Sequence, residues 1–555
     1  MRCKPIPVFT TQRIYFWFPT EVVHRARIEP DMNPATHDQN DAHPAGSGGR
    51  QTTPKVPAQY WLTRFVLLRF LGFIYFIAFL VAVKQIVPLV GHDGLLPADT
   101  YLQRLAEHFG SRSNGFTEIP TLCWFDVSDN ALRVVAWTGL ILSLVVVAGY
   151  ANSIIMLVLW ALYMSIINVG QLWYGYGWEI QLLETGFLGV FLCPLLDPRP
   201  FPRRAPSVVV LWLYRWLIFR IMLGAGLIKL RGDSCWWPDF TCLYYHYETQ
   251  PIPNPVSWWL HFRPHWFQQF GVLWNHFIEV IVPWFCFWPR ISRHLAGFLM
   301  VSFQIVLIIS GNLSFLNYLT IVPCLACFDD TFWARLLPRV LADRAREASA
   351  RAQPSTAVEF AAVAMALVVA ILSIEPVMNL FSSRQAMNTS FNRLNLVNTY
   401  GAFGTVGRER FEIVFEGTLD PSPEGATWRE YEFVAKPGDP HRRPPIVAPY
   451  QPRIDWQIWF AAMASPHEYP WTVHFVWKLL HNNPGTLSLL ANNPFPNQPP
   501  RFIRAELYRY HFTSSGEHDG SWWKRERVDS WLPPLSSDNP ELRRFLEAEG
   551  WLHEK

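Results

Sequence analysis

Between two strongly apolar runs, the chain reads LIKLRGDSCWWPDFTCLYYHYETQPIPNPVSWWLH over residues 227–261. This segment is rich in aromatic residues, is interrupted by proline, and holds charged side chains that apolar surroundings tolerate badly. Polar segments between membrane-like spans are typical of structured caps or sites, because irregular backbone at that depth needs protein or water around it. We therefore expect an ordered loop over residues 231–269, joining two membrane-spanning helices.

The composition of the whole chain agrees with a membrane protein. Of its 555 residues, 50% are hydrophobic and only 16% are charged, whereas soluble domains usually carry about 25% charged residues. The net charge of +3 is too small to indicate binding to nucleic acid. The chain also lacks a Walker loop, a GxGxxG fingerprint after a strand, HExxH and GxSxG, which excludes the common classes of soluble enzyme.

Apolar runs that approach the length of a membrane span recur up to residue 374. About 20 apolar residues are needed to cross the hydrocarbon core. Nine runs come close to this length: 65–90, 131–149, 153–171, 179–196, 208–230, 270–288, 294–310, 313–328 and 356–374. They predict a polytopic α-helical membrane domain of about nine spans over residues 58–375. Residues 1–57 are polar and broken by proline and glycine, which predicts a disordered tail.

The distribution of arginine predicts the orientation of these spans. Cytoplasmic loops of membrane proteins carry an excess of lysine and arginine. With the N-terminus in the cytoplasm, nine alternating spans place three arginine-bearing loops inside: 197–207, 289–293 and 329–353. The same arrangement places loop 231–269 and everything after residue 374 on the non-cytoplasmic side.

The predicted orientation decides how the cysteines of the loop are interpreted. Cys235 and Cys242 would face an oxidising lumen or periplasm, where disulfides persist. A bridge between them would close a small loop over Trp236 and Trp237, and two free, buried thiols are the alternative. A zinc site that used His246 would lack a clear fourth ligand. We expect a disulfide, and neither a metal nor another cofactor.

Ionisable residues near or within the spans are candidates for function, because their burial in a bilayer is costly. His276 and Glu279 are three residues apart, so they share a helix face and could form an acid/base couple. A buried ion-pair brace between helices is the alternative interpretation. The candidate set for catalysis, to which no reaction is assigned, is Asp233, Asp239, His246, Glu248, His276 and Glu279.

After residue 375 the pattern changes to that of a soluble, β-rich α+β domain over 376–555. Nearly alternating apolar residues in RFEIVFEG (410–417) and WREYEFVA (428–435), separated by the turn cluster DPSPEGAT, predict a β-hairpin. A further strand is predicted over 501–512. Short helices are predicted over 453–463 and 471–481.

The chain carries more tryptophan than a small core usually needs, so we expect some aromatic residues to form a binding surface. A buried core with a belt at the membrane interface is the alternative. The candidates are Trp236, Trp237, Tyr247 and Trp258 in loop 231–269, and Trp456 and Trp459 in the C-terminal domain.

Several long stretches of the chain resemble the lipase maturation factor family. They include GLIKLRGDSCWWPDFTCLYYHYETQPIPNPVSWWLH (226–261), WNHFIEVIVPWF (274–285), SGNLSFLNYLTIVPCLACFDD (310–330), NLVNTYGAFGTVGRERFEIVFEGT (395–418) and NPFPNQPPRFIRAELYRYHFT (493–513). The resemblance covers roughly residues 61–531. The first 57 residues have no counterpart in it.

The resemblance implies a non-catalytic, chaperone-like factor that assists the folding and assembly of secreted proteins, in animals lipases. It implies an integral protein of the endoplasmic reticulum membrane, or of the inner membrane in a bacterium, with a lumenal or periplasmic C-terminal domain. The partners implied are secreted clients and the lipid bilayer, without nucleic acid. The membrane part is also distantly similar to vitamin K-dependent carboxylases, so a membrane enzyme with its site at the outward loop is the alternative.

Overall fold

The structure, a computed structural model, describes residues 59–514, 516 and 520–552. The predicted disordered tail 1–57 lies outside these residues. The described chain begins with a helical bundle and continues into a region built on an antiparallel sheet. The fold class predicted from the sequence is confirmed.

The first part of the described chain is helical. Its helices are α1 (Trp61–Val90), α2 (Ala98–His108), α3 (Arg112–Glu118), α4 (Asp129–Ala148), α5 (Ser153–Val169), α6 (Gly177–Leu192), α7 (Val208–Arg231), α8 (Leu243–Thr249), α9 (Pro255–His261), α10 (His265–His276), α11 (Arg290–Ser310), α12 (Leu316–Cys324), α13 (Asp330–Leu336), α14 (Arg339–Ala350), α15 (Thr356–Leu372) and α16 (Ile374–Phe381). After α10 the chain continues helically to Phe287 through a π-helical turn. The predicted domain boundary at residue 375 falls inside α16.

Within the described residues, six helical stretches are long and apolar enough to cross a membrane. They are Trp61–Val90, Asp129–Ala148, Val208–Arg231, His265–Phe287, Arg290–Ser310 and Thr356–Phe381. The other three predicted spans correspond to shorter helices, namely α5, α6 and the stretch Leu316–Cys327. A helix of 16 residues such as α6 is about 24 Å long, short of the roughly 30 Å of a hydrocarbon core.

The ends of the shorter helices lie beside the ends of the longer ones. At the start of α5, the Ser153 amide donates to the carbonyl of Pro194, just after α6, at 3.0 Å. The Thr63 hydroxyl at the start of α1 donates to the carbonyl of Phe328, just after Cys327, at 3.0 Å. The start of α5 thus lies beside the end of α6, and the start of α1 beside the end of the stretch Leu316–Cys327. The number of nine spans stays a prediction. It requires α5, α6 and the stretch Leu316–Cys327 to cross the membrane as well.

The second part of the described chain contains two sheets and four helices. Its elements are β1 (Arg410–Thr418), β2 (Arg429–Glu430), β3 (Glu432–Phe433), α17 (Arg453–Ala461), α18 (Trp471–Leu480), α19 (Pro484–Leu487), β4 (Leu490–Asn492), β5 (Phe502–Phe512), β6 (Trp523–Leu535) and α20 (Pro540–Ala548). The larger sheet has the strand order β2-β1-β5-β6 with antiparallel pairing throughout. The further strand and both helices are confirmed. The predicted hairpin is confirmed only in part: β1 pairs with the two residues of β2, whereas the rest of the predicted second strand breaks away as β3 and pairs with β4 in the smaller sheet.

Strand β6 is absent from the sequence-based prediction. It forms the edge of the larger sheet, and most of its residues are exposed. Its sequence, WKRERVDSWLPPL, is charged and has two prolines just before its last residue. Strand prediction relies on one apolar face, and an edge strand open to solvent has no such face.

A segment without regular structure enters the bundle from the C-terminal side. Asn398 is fully buried, with its backbone amide 3.0 Å from Glu184 Oε2 of α6. Its carbonyl accepts a hydrogen bond from Arg220 of α7 at 2.7 Å, and Arg220 also pairs with Glu184. A Cβ atom on Gly224 would overlap the carbonyl oxygen of Tyr400. The glycine in α7 therefore allows this irregular backbone to lie among helices, where protein groups satisfy it.

Candidate functional site

Loop 231–269 is folded into turns, two short helices and the first residues of α10, which begins at His265 and not after residue 269 as predicted. Helix α8 leads into α9, whose first turn is closed by a capping box: Ser257 N donates to Asn254 Oδ1 and Asn254 N donates to Ser257 Oγ, both at 2.9 Å. Pro255 is at the first helical position, where a missing amide hydrogen costs nothing. Polar side chains of the loop, here Asn254 and Ser257, thus close the start of an ordered helix.

The cysteines of the loop lie next to each other. The sulfur atoms of Cys235 and Cys242 are at bonding distance, with Cα atoms 4.6 Å apart, inside the usual range for a disulfide. Between them, Trp236 is buried and its indole nitrogen donates to the carbonyl of Phe403 at 2.7 Å, whereas Trp237 is 55% exposed. The pair therefore closes a turn that presents one tryptophan inward and one outward.

The two aspartates of the loop stabilise its turns. The Asp233 carboxylate accepts the backbone amide of Cys235 at 3.1 Å, and its own amide donates to the carbonyl of Gly404 at 3.0 Å. The exposed Asp239 accepts the Ser234 hydroxyl at 2.7 Å. The two carboxylates therefore bind groups of the loop's own turns, and the Asp233 amide links the loop to the irregular segment around Gly404. Neither carboxylate binds another candidate catalytic residue through these contacts.

The structure gives His276 and Glu279 different partners. The Glu279 carboxylate lies 2.6 and 2.7 Å from the Lys229 ammonium of α7 and accepts the Asn275 amide at 2.9 Å. His276 has its Nε2 3.1 Å from the carbonyl oxygen of Trp236. Lys229 and Glu279 are both buried, and their ion pair joins two helices. Glu279 therefore takes part in a brace between helices, the alternative to an acid/base couple with His276.

His246 and Glu248 also serve separate contacts. The His246 ring lies edge-on to Phe403 with ring centroids 4.9 Å apart. Burial and the nearby Lys229 ammonium lower the pKa of His246 to about 4, so the imidazole is neutral at pH 7. Glu248 is directed at the C-terminal domain, where its carboxylate accepts the backbone amide of Phe512 in β5 at 2.6 Å.

A buried arginine on β1 fastens the sheet to the loop. Arg410 donates to the carbonyl oxygens of Glu248 at 2.9 Å, Gln250 at 2.5 Å and Pro251 at 3.0 Å. Its guanidinium also pairs with Glu412 at 2.5 Å, and the second oxygen of Glu412 lies 2.9 Å from the Lys436 ammonium. The arginine and Glu412 are fully buried. Every donor of the guanidinium fork is directed at a fixed acceptor, which positions the two parts of the chain relative to each other.

A second buried arginine joins helix α17 to the bundle. Arg453 donates to Glu179 Oε1 in α6 at 2.8 Å and to the carbonyl oxygen of Trp173 at 2.6 Å. Both charged side chains are fully buried, and the Tyr163 hydroxyl donates to the other oxygen of Glu179. The guanidinium also lies over the Tyr174 ring, 3.4 Å from its centroid. Bundle and C-terminal domain therefore meet through fully buried charges at two places.

The predicted binding aromatics fall into two groups. Trp236, Tyr247 and Trp456 are buried and belong to the core. Trp258 and Trp459 are partly buried where loop 231–269 contacts the C-terminal domain. Their indole nitrogens donate across this contact to the carbonyl oxygens of Thr513 at 2.8 Å and Thr249 at 3.1 Å. Trp237 is the member of the predicted set that is exposed, together with neighbouring aromatics of the loop region: Trp259, Phe262 and Trp266.

The candidate catalytic residues do not line either of the two hollows that stand out in the described part of the chain. Each of these hollows encloses only about 10 Å³, room for about one water molecule. One lies at the arginine-bearing end of the bundle, and the other is lined by Lys436, Arg442 and a proline-rich turn. The loop and the C-terminal domain contact each other through Arg410 and Glu248, and the six candidate catalytic residues are not gathered at either hollow.

The sequence analysis missed three buried cations. Lys229, Arg410 and Arg453 each occur beside apolar residues, where a charge signals burial against a partner. That signal is present in the sequence. The identity of each partner is not, because Lys229 and Arg453 pair with residues 50 and 274 positions away, and the loop carbonyl oxygens that Arg410 binds are 159 to 162 positions away.

Comparisons with known proteins match both parts of the chain. Residues 62–335 match the model of the lipase maturation factor transmembrane domain, and residues 396–533 match that of the lipase maturation factor C-terminal domain. No solved structure matches the chain.

Named relatives extend over most of the chain. The chain is 50% identical to lipase maturation factor 1 of Bos taurus over 517 residues, which covers 89% of this chain and 92% of the relative. Identity to lipase maturation factor 1 of Homo sapiens is 48% over 548 residues, covering 94% of each. Lipase maturation factor 2 of Homo sapiens is 30% identical over 616 residues, covering 89% of this chain and 85% of the relative.

These matches include loop 231–269, Arg410 and Arg453. They give no support to the carboxylase alternative. From its matching domains and its nearly full-length relatives, the chain belongs to the lipase maturation factor family.

Proposed function

We propose that this protein is a membrane-embedded factor that assists the folding and assembly of secreted lipases. The observation that carries this proposal is the 50% identity to a lipase maturation factor 1 over 89% of the chain. The joined surface of loop 231–269 and the C-terminal domain supports a contact role. Its polar residues are used in turns, ion pairs and domain contacts, and its exposed aromatics offer area to a client.

We also propose the endoplasmic reticulum membrane as the location, with this surface facing the lumen. Support comes from the arginine-bearing loops at the opposite end of the bundle, since such loops stay in the cytoplasm. Folding lipases are present in the lumen, so the surface would meet its clients there. An oxidising lumen would also maintain the proposed disulfide between Cys235 and Cys242.

The function is testable in cells that lack their own lipase maturation factor. Co-expression of this chain with a secreted lipase is expected to restore lipase activity in the medium. Trp237→Ala is expected to lower secreted activity at least about threefold at equal abundance of the factor, because an interface tryptophan often contributes more than about 1 kcal/mol. The measurements are secreted lipase activity and mass, together with the level of each variant.

Trp288→Ala is the matched control for this experiment. Trp288 is 57% exposed, close to the 55% of Trp237, but it follows the helical stretch that ends at Phe287, at the other end of the bundle. It should leave secreted activity unchanged. No rescue by the unaltered chain would contradict the proposed function, and equal effects of the two substitutions would contradict the role of Trp237.

The bridge and its side of the membrane can be tested together by thiol labelling. In sealed vesicles with the cytoplasmic face outward, a membrane-impermeant reductant should leave Cys235 and Cys242 resistant to later alkylation under denaturing conditions. After permeabilisation the same reductant should make both reactive. Cys193, a free buried cysteine, should react in every sample once the chain is denatured. Alkylation of Cys235 and Cys242 without any reductant would exclude the disulfide.

A further inference from the structure

The segment after α16 contains Asn388-Thr389-Ser390, which matches the Asn-x-Ser/Thr pattern at which secreted and lumenal chains acquire N-linked glycans. We propose that Asn388 carries an N-linked oligosaccharide. The proposal rests on the proposed function, which places the residues after 374 in the lumen of the endoplasmic reticulum. A three-residue pattern occurs often by chance, so its position in the fold decides whether it is usable.

Asn388 lies at the end of the bundle opposite the arginine-bearing loop 197–207. A Cβ atom on Gly177, the first residue of α6, would overlap the Asn388 side-chain oxygen. From this contact, the 16 residues of α6 extend about 24 Å toward the segment that leads into that loop. Just before the pattern, the Gln385 side chain accepts a hydrogen bond at 3.0 Å from Arg231, where loop 231–269 begins. Asn388 is therefore on the side proposed to face the lumen.

The side chain of Asn388 is available for modification. The residue is exposed, and its φ of +51° is a conformation that asparagine tolerates better than most side chains. Its Oδ1 accepts the backbone amide of Gly401 at 3.4 Å, whereas its Nδ2 donates to no group in the described part of the chain. The oxygen of the carboxamide is held by the protein, and the nitrogen that would carry the sugar has no competing contact.

A second match to the pattern, Asn312-Leu313-Ser314, lies in the opposite environment. Asn312 is 1% exposed, its Oδ1 accepts the backbone amide of Val447 at 2.9 Å, and its Nδ2 donates to the carbonyl oxygen of Pro445 at 2.8 Å. It also lies in the short connection between α11 and α12, which keeps it close to the bundle even in an extended chain. The fold therefore leaves room for a glycan at Asn388 and none at Asn312.

The modification requires a lipid-linked oligosaccharide diphosphate as the sugar donor and a separate membrane-bound transferase. The Asn388 Nδ2 forms a bond to the anomeric carbon of the first sugar, and the bond from that carbon to the diphosphate oxygen breaks. The lipid diphosphate leaves, and Nδ2 loses one of its two protons. The product is a secondary amide, with no oxidation or reduction of either partner.

The test is the electrophoretic mobility of the full-length chain from animal cells, before and after treatment with peptide-N-glycosidase. The treatment should shift the chain by one glycan. Asn388→Gln and Ser390→Ala should each abolish the shift, whereas Ser390→Thr should retain it, because threonine also completes the pattern. Ser314→Ala is the matched control and should leave the shift unchanged. It removes the second match at the loss of one long contact to Gln451, at 3.4 Å.

An added glycan acceptor separates failure of this site from failure of the proposed function. A flexible linker that ends in Asn-Ser-Thr is joined after Lys555. A glycan on the added sequence without one on Asn388 would overturn the site and leave the lumenal orientation standing. A glycan on neither would overturn the orientation and the site together. A shift that persists in Asn388→Gln would also overturn the site. Secreted lipase activity from the same cells reports the maturation role independently.

Discussion

Arg453→Met is expected to destabilise the folded protein by about 3–5 kcal/mol, the usual cost of removing one partner of a buried ion pair. The substitution leaves the Glu179 carboxylate, which is fully buried, without its cation. It also removes the link between α17 and the carbonyl oxygen of Trp173. The measurement is thermal unfolding of the purified chain in detergent, together with the steady-state level of the protein in cells.

A double substitution separates the ion pair from simple loss of packing. Arg453→Met combined with Glu179→Leu should recover much of the stability, because no charge is then left unpaired in the interior. Arg346→Gln breaks an exposed pair with Asp343 and should cost less than about 1 kcal/mol. If the double substitution is as unstable as the sum of its single changes, the two residues do not act as a pair.

Arg410→Lys is expected to loosen the C-terminal domain from the loop even though it retains the positive charge. Lysine cannot reproduce a planar fork that donates to several carbonyl oxygens and to Glu412 at once. The expected loss is at least about 3 kcal/mol, since several charge-assisted hydrogen bonds are broken in the interior. Limited proteolysis and amide hydrogen exchange should show earlier exposure of the chain around Gln250.

Arg509→Lys is the control for this second prediction. Arg509 lies on β5 of the same sheet and pairs at 2.9 Å with Glu409. Unlike those of Arg410 and Glu412, these two side chains are partly exposed, at 35% and 47%. Its replacement should change stability by less than about 1 kcal/mol. Equal behaviour of the two lysine variants would show that Arg410 does not fasten the domain to the loop.

The sequence by itself determined the elements whose pattern is local. A bilayer imposes a minimum length on an apolar run, so helices such as α1, α7 and α15 can be predicted without any knowledge of their neighbours. Strands β1 and β5 carry an apolar face against the core, so their alternation predicts them in the same way. The ordered loop 231–269 was predicted because polar residues between spans need a structured environment.

Only the tertiary structure decided which groups meet in the interior. Glu279 lies three residues from His276 in the sequence, yet its partner is Lys229, 50 positions away. Arg453 reaches Glu179 across 274 positions, and Asn398 reaches Glu184 across 214. A charge in an apolar stretch indicates that some partner exists, because an unpaired buried charge is too costly. The choice of partner depends on how the helices pack, and no local pattern in the chain records it.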